Sequence, residues 1–222
     1  MEMKSVLKTT ALSVLMMTAM TAMTAQASPV NTNLIVKGTI TPAACVPTLA
    51  NNGVIDFGDT SAGKLPENGS LTLEAKSLTA TVTCASAASV AMTFKDNRAD
   101  TVSLVGGEST KAEQAFGLGN AGGINIGSYG IKITHITGDS ADGVVLHSSD
   151  KESWSKLAST EFVNNNAVPQ YLTFGLSGNN VPKEAKVLTF DLQVIPALNS
   201  ALKDISEAVN LDGNATLSFE YL

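Results

Sequence analysis

From residue 34 onward, apolar residues alternate with polar residues at a period close to two. Valine and threonine are abundant in these segments, and clusters of glycine, asparagine, aspartate and proline separate them. This pattern is typical of short β-strands joined by tight turns. It predicts about eleven strands: LIVKGTI, GVIDFGD, SLTLEA, SLTATVTC, SVAMTFKD, TVSLV, GIKITHI, GVVLHSS, QYLTFGLS, VLTFDLQVI and NATLSFEYL. We therefore predict an all-β sandwich.

Two segments depart from the alternation. Between Leu198 and Val209, apolar residues recur at intervals of four, three and four, which predicts a helical turn over 199–208 with Ser200 as its cap. Residues 106–127 are rich in glycine, serine and asparagine, and they predict a long loop.

The first 27 residues have the order of a secretory signal peptide. Lys4 and Lys8 precede the apolar stretch 11–23, and the triplet Ala25-Gln26-Ala27 follows it. The apolar stretch is too short for a permanent membrane-spanning helix. We predict cleavage before Ser28, no transmembrane anchor, and an exported protein.

Composition and charge narrow the classes of function. The chain has a net charge of −6, and removal of residues 1–27 makes it one unit more negative. Arg98 is the only arginine, and the lysines are scattered, whereas nucleic-acid binders cluster their basic residues. We expect no nucleic-acid partner. Because the chain lacks G-x-S-x-G and HExxH motifs, we also expect no enzyme.

The two cysteines, Cys45 and Cys84, both lie after the predicted cleavage site. Export would place them where disulfides form and persist, so we predict a disulfide between them. Two buried free thiols are the alternative. A metal site has less support, because His135 and His147 have no ligand-like spacing to the cysteines.

The segment Gly117-Leu118-Gly119-Asn120-Ala121-Gly122 formally matches a dinucleotide-binding fingerprint. That fingerprint requires a helix after the glycines, but the residues that follow, INIGSYGIKI, have the pattern of a strand. We predict a glycine-rich loop that enters a strand, and no cofactor.

The remaining polar motifs have simple structural interpretations. Asp96-Asn97-Arg98 and Ser148-Ser149-Asp150 predict turns, and His147 is expected to be an outward polar residue of an alternating strand. Trp154, the only tryptophan, lies in a polar stretch. It either covers a loop or stacks on a sugar ring.

Both ends of the exported chain have the alternation of a half-apolar strand. Near the N-terminus one face holds Val30, Thr32, Leu34 and Val36. At the C-terminus one face holds Ala215, Leu217, Phe219 and Tyr221. Both segments could be ordinary strands of one sandwich. Alternatively, one of them leaves its own domain and completes the sheet of a neighbour by strand addition.

Several short motifs occur in a characteristic order. An alternating extension leads to Gly38-Thr39-Ile40 and Cys45, Asp56-Phe57-Gly58 lies between the cysteines, and Gly213-Asn214-Ala215-Thr216 leads to Tyr221. In this order the chain resembles a chaperone-usher fimbrial, or pilin-type, subunit. The stretches ITPAACVPTL, GVIDFGD, FGLGNAGGINIGSYGIKI and NLDGNATLSFEYL more closely resemble a group of enterobacterial fimbrial-like periplasmic proteins of unassigned domain function.

This resemblance implies an immunoglobulin-like sandwich over residues 38–222 that lacks its last strand, which is completed in trans. The Cys45–Cys84 disulfide would pin the first strands. The extension 28–37, with Val30, Thr32, Leu34 and Val36, would act as the donor strand. The C-terminal strand, with Ala215, Leu217, Phe219 and Tyr221, would be the surface held by a chaperone. The implied partners are a periplasmic chaperone, an outer-membrane usher and other fimbrial subunits.

Two hypotheses of function follow. The first is a structural fimbrial-type subunit, assembled by donor-strand exchange, that contributes to cell-surface adhesion from the periplasm or a fimbrium. The second is a periplasmic binding protein for a small ligand or glycan, complete without a strand from another subunit. Its site would lie in the loop 106–127 and near Trp154.

Overall fold

The computed structural model describes residues 34–39, 44–104 and 111–222. The predicted signal peptide 1–27, together with Val30 and Thr32, lies outside the described residues. The chain forms two units, Met1–Ile40 and Thr41–Leu222. In the first unit, the described residues 34–39 form no strand, so the strand predicted there is wrong over those residues. The predicted domain boundary at residue 38 stays a prediction.

The described part of the second unit is built from strands. Their bounds are β1 Cys45–Leu49, β2 Ser70–Thr72, β3 Lys76–Ala88, β4 Val90–Asp96, β5 Phe116–Gly117, β6 Asn120–Ala121, β7 Ile124–Asn125, β8 Gly127–Gly138, β9 Ala141–Asp142, β10 Val144–Ser148, β11 Ser155–Lys156, β12 Tyr171–Gly175, β13 Ala185–Asn199 and β14 Ala215–Tyr221. Short 3₁₀ turns cover Ala50–Gly53, Ala62–Lys64, Ala99–Thr101, Ala112–Gln114 and Ser200–Leu202. The residues described contain no α-helix.

Two antiparallel sheets form the sandwich. Sheet A has the order β1-β3-β13-β8-β5, with β2 on β13 and β9 on β8. Sheet B has the order β11-β10-β12-β4-β14, and β6 and β7 form a separate hairpin. The prediction of an all-β sandwich is confirmed. β1 is an edge strand of sheet A, and β14 is an edge strand of sheet B.

The core follows from the alternation of side chains along each strand. In β3, Leu78, Ala80 and Val82 point inward and are buried, while the threonines between them face outward. Phe190 of β13 in sheet A and Met92 of β4 in sheet B are likewise buried. Burial of each of these side chains other than Ala80 contributes about 1.5–3 kcal/mol to folding.

The predicted disulfide is confirmed. Cys45 and Cys84 face each other across β1 and β3, with their Cα atoms 3.9 Å apart and a sequence separation of 39. On the chain-entropy model, closing a loop of this size stabilises the folded state by roughly 4 kcal/mol. The bond fastens edge strand β1 to the interior of sheet A.

Some elements differ from the predictions, because packing overrides local pattern. β1 is not among the predicted strands; it contains Pro47, which an edge strand tolerates. The expected strands GVIDFGD and TVSLV do not form over their described residues. The expected helical turn over 199–208 is only a 3₁₀ turn, and its cap is Asn199, which accepts a hydrogen bond from the Ala201 N–H at 3.0 Å.

The long loop expected over 106–127 is also wrong for its described part, 111–127. A 3₁₀ turn and the short strands β5, β6 and β7 occupy that part. The glycines turn the chain within it: Gly119, Gly122 and Gly123 have positive φ angles of 93°, 57° and 86°.

Candidate functional site

The edge strand β14 pairs with β4 and with no other strand of the described residues. Asn97 N–H donates to the Asn214 carbonyl, and Leu222 N–H donates to the Ser89 carbonyl. In an antiparallel pair the hydrogen-bonded positions alternate, so the even-numbered residues of β14 direct their backbone groups toward β4. The odd-numbered residues therefore direct theirs to the free edge: Ala215, Leu217, Phe219 and Tyr221.

The free edge of β1 lies on the other side of the same opening. Ala85 N–H donates to the Ala44 carbonyl, so even-numbered residues of β1 bond to β3. The backbone groups of Cys45, Pro47 and Leu49 consequently point away from β3. Pro47 has no N–H to offer.

A groove runs between these two edges, and we name it the β1–β14 groove. Its first part, a cavity of about 460 Å³, lies between Pro47 and Leu49 of β1 and Leu217 and Phe219 of β14. Its central part, of about 210 Å³, shares Leu49 and Leu217 with the first and continues past Ala215. Its far part, of about 710 Å³, shares Leu211 with the centre.

The floor of the groove is the hydrophobic core itself. Leu78 and Leu192 of sheet A, and Phe94 of sheet B, line its central part. All three are buried to at least nine-tenths. An occupant with apolar side chains would therefore pack directly on the core, where each buried methylene contributes about 0.8 kcal/mol.

One wall of the groove is the segment after β1, which includes the Asp56-Phe57-Gly58 motif. The Asp56 carboxylate accepts a hydrogen bond from the Gly58 N–H at 2.7 Å, and Lys76 Nζ donates to the Asp56 carbonyl at 2.6 Å. These bonds hold Phe57 against the central and far parts of the groove. The motif thus shapes the wall instead of forming the predicted strand.

One end of the groove is spanned by a hydrogen bond. The Cys45 N–H donates to the Tyr221 hydroxyl at 2.9 Å, which connects the free edges of the two sheets. Tyr221 is 52% exposed.

Side chains around the start of β14 hold it to β4. Asn97 Nδ2 donates to Asn214 Oδ1 at 2.5 Å and to Thr216 Oγ1 at 2.9 Å. Arg98 and Asp212 form an ion pair at 2.8 Å, but both side chains are substantially exposed, so the pair contributes little.

The predicted turn at Asp96 also contains a buried carboxylate. Asp96 accepts hydrogen bonds from the Arg98 N–H and from the Gly117 N–H of β5, each at 2.8 Å. Burial raises the pKa of Asp96, and the two backbone hydrogen bonds oppose that rise. Asp96 thereby connects the end of β4 in sheet B to β5 in sheet A, a role that the sequence motif did not indicate.

The C-terminal residues chosen from the sequence lie together in the structure. Ala215, Leu217 and Phe219 line the groove, and Tyr221 lies at its end. Their contact with a chaperone stays a prediction. Of the predicted donor residues, Leu34 and Val36 are described and exposed, whereas Val30 and Thr32 are not described.

The alternative site near Trp154 is less favourable. Trp154 Nε1 donates to the Lys151 carbonyl at 3.1 Å, so the indole covers its own turn. A nearby cavity of about 400 Å³ is lined by polar side chains, including Gln114, His147 and Asn164. They already bond to the protein: Gln114 to the Phe162 carbonyl, His147 to Ser155 and Asn164 to the Val168 carbonyl.

The other candidate motifs form ordinary structure. The glycine-rich segment 117–122 is followed by β7 and β8, as the strand interpretation predicted. Asp150 forms the predicted turn by accepting from the Glu152 and Ser153 N–H groups. Among the described residues, no group of three or more His, Cys, Asp or Glu side chains could hold a metal ion. No described helix is long and apolar enough to cross a membrane.

Fold and groove together define a class: a disulfide-bonded β-sandwich with an apolar groove between two free strand edges. A family model described as "Protein of unknown function (DUF1120)" matches residues 34–130. The chain is 30% identical over 216 residues to "Uncharacterized protein YhcF" of Escherichia coli K12, covering 84% of this chain and 89% of YhcF. It is 28% identical over 227 residues to "Protein GltF" of the same organism, and the match covers 86% of this chain and 89% of GltF. The chain belongs to the DUF1120 family.

Proposed function

We propose that this protein is a structural, non-enzymatic subunit of fimbrial type that assembles by strand addition. The β1–β14 groove accepts an extended strand from a neighbouring subunit. The chain's own residues 28–37 fill the groove of the next subunit. The assembled fibre contributes to adhesion at the cell surface.

The observation that carries this proposal is the free edge of β14. Its outward backbone groups are unpaired within the described residues, and its side chains Leu217 and Phe219 line an apolar groove that reaches the core. An added strand supplies both the missing hydrogen bonds and the missing side chains. No charged side chain of β14 faces this groove, although charges commonly protect edges that must stay free.

The lengths of the two partners are compatible. β14 has 7 residues, which span about 23 Å at about 3.3 Å per residue. Fully extended, residues 28–37 would reach about 33 Å on the same scale. The extension is therefore long enough to follow the whole edge, with Val30, Thr32, Leu34 and Val36 facing the groove at a period of two.

The proposal includes the route of assembly. Residues 1–27 direct export, and the Cys45–Cys84 disulfide is typical of a compartment outside the cytosol. A periplasmic chaperone holds β14 before assembly, and an outer-membrane usher passes the subunit to its neighbours. An exposed edge beside an apolar groove favours aggregation, so a lone subunit needs such protection.

The competing function is a periplasmic binding protein for a small ligand or glycan. The cavity near Gln114 and His147 supports it. Those side chains already form hydrogen bonds within the protein, so fewer of their donors and acceptors are free to bind a sugar.

The two functions are separated by producing the chain without any chaperone and measuring its stability and its assembly. Strand addition predicts an unstable or aggregating chain that a peptide of sequence 28–37 rescues, and heat-labile multimers in periplasmic extracts. A stable monomer that unfolds cooperatively, with residues 28–37 protected from hydrogen exchange in its own sheet, would overturn the proposal.

A further inference from the structure

The hydrogen bond at the end of the groove joins a fixed donor to a movable acceptor. The donor, Cys45 N–H, lies in β1 and is held by the disulfide to Cys84 in β3. The acceptor is the Tyr221 hydroxyl. β14 remains paired with β4 through Tyr221, opposite Val90, so the backbone of Tyr221 is held and only its side chain is free to turn.

Donors are scarce on the free edge of β1. The outward residues of β1 are Cys45, Pro47 and Leu49, and Pro47 has no N–H. Cys45 and Leu49 are therefore the donors that β1 can offer to an entering strand. Tyr221 occupies one of them.

Tyr221 can give up this bond at low cost. Its side chain is 52% exposed, so water replaces Cys45 as the partner of the hydroxyl when the ring turns away. Leu222 N–H donates to the Ser89 carbonyl at 3.0 Å, which keeps the end of β14 in register while the side chain moves.

We propose that Tyr221 is a latch on the β1–β14 groove. In the strand-free subunit its hydroxyl occupies the Cys45 N–H. A strand that enters the full groove displaces it, and a backbone carbonyl of that strand takes the place of the phenol oxygen. This inference rests on the proposed function. Tyr221 affects how fast a strand enters, because the Tyr221–Cys45 hydrogen bond must break during entry. It does not affect how fast the strand leaves, because this bond is already broken in the filled groove.

The test uses the exported full chain, its Tyr221→Phe variant and a peptide of sequence 28–37 as the probe. Phenylalanine keeps the ring and removes the hydroxyl. We expect the association rate constant to rise about two- to tenfold, the effect of one ordinary hydrogen bond, with the dissociation rate constant unchanged. Tyr171→Phe, in β12, is the matched control and leaves both rates unchanged.

A second measurement examines the latch without any peptide. Amide hydrogen exchange at Cys45 should be faster in Tyr221→Phe than in the wild type. Unchanged exchange at Cys45 overturns the latch. Peptide binding with equal association rates for wild type and Tyr221→Phe also overturns the latch and leaves the proposed function standing. Failure of the peptide to bind either protein overturns the proposed function, and the latch with it.

Discussion

At the scale of single residues, aspartate side chains organise the turns by accepting backbone hydrogen bonds. Asp150 accepts from the Ser153 N–H, the Glu152 N–H and the Ser148 hydroxyl, at 2.8–2.9 Å. Such local bonds are what the turn motifs predicted. The Asp96 bond to Gly117 crosses between sheets over a sequence separation of 21, so no local motif could reveal it.

The turn at Asp150 makes stability depend on pH in a defined direction. The Ser153 and Glu152 N–H groups and the Ser148 hydroxyl lower the pKa of Asp150 from 3.8 to about 2. A lowered pKa in the folded state stabilises the fold above the unfolded value, and this contribution is lost as pH falls through the folded value. We expect Asp150→Asn to melt below the wild type at neutral pH, and the difference to shrink between pH 3.8 and about 2.

Thermal unfolding across this pH range checks the Asp150 prediction. A difference between Asp150→Asn and wild type that stays constant or grows on acidification contradicts the prediction.

At the scale of elements, β14 illustrates what alternation can and cannot predict. The alternation correctly grouped Leu217 and Phe219 on the inward face, because it depends only on the spacing of residues along one strand. Its free edge depends on the order of strands in sheet B, which arises from contacts distant in sequence. Likewise, β1 is not among the predicted strands. It contains Pro47, and the order of strands makes β1 an edge strand, where proline is tolerated.

The two faces of β14 provide a direct test of the groove. Leu217 faces the groove, while the neighbouring Ser218 faces away and is exposed. We expect Leu217→Lys to weaken binding of the 28–37 peptide by at least about tenfold, because an ammonium in the groove is desolvated without a partner. Ser218→Lys places the same charge on the other face of the same strand and should bind like the wild type.

Titration of the peptide against each variant measures this effect, and thermal unfolding of each variant confirms that it is folded. Leu217→Ala adds a milder change, which shortens the side chain without adding charge and should weaken binding less than Leu217→Lys. Equal binding by Leu217→Lys and Ser218→Lys would exclude the groove as the binding site.

At the scale of the unit Thr41–Leu222, the β1–β14 groove is a gap between two sheets. β1 is an edge of sheet A and β14 an edge of sheet B, so a strand placed between them would extend both sheets at once. The sequence predicted the sandwich and the disulfide from alternation and cysteine content. That the sandwich lacks a strand was implied only by the resemblance and stays a proposal, because the way in which the two sheets meet depends on contacts distant in sequence.

A chain that carries its own added strand tests whether filling this gap stabilises the protein. Because β14 ends at Tyr221, a strand attached after Leu222 through an Asn-Gly turn would form a hairpin along the free edge. We expect residues 28–37, moved to this position, to give a stable monomer whose Tm exceeds that of the unmodified chain by at least about 5 °C. Two well-buried apolar side chains supply several kcal/mol, and each kcal/mol raises Tm by about 2–4 °C in a domain of this size.

The matched control carries the same fusion with lysine at the positions of Leu34 and Val36. It keeps the length and the turn but places two charged side chains on the face that would enter the groove, so it should melt like the unmodified chain and still aggregate. Calorimetry gives Tm, and size-exclusion chromatography gives the assembly state. If both fusions stabilise the chain equally, the gain comes from the linked backbone alone and the groove does not select an apolar strand. If neither does, the gap is not an acceptor, because a hairpin gives the strand the highest local concentration that the chain can provide.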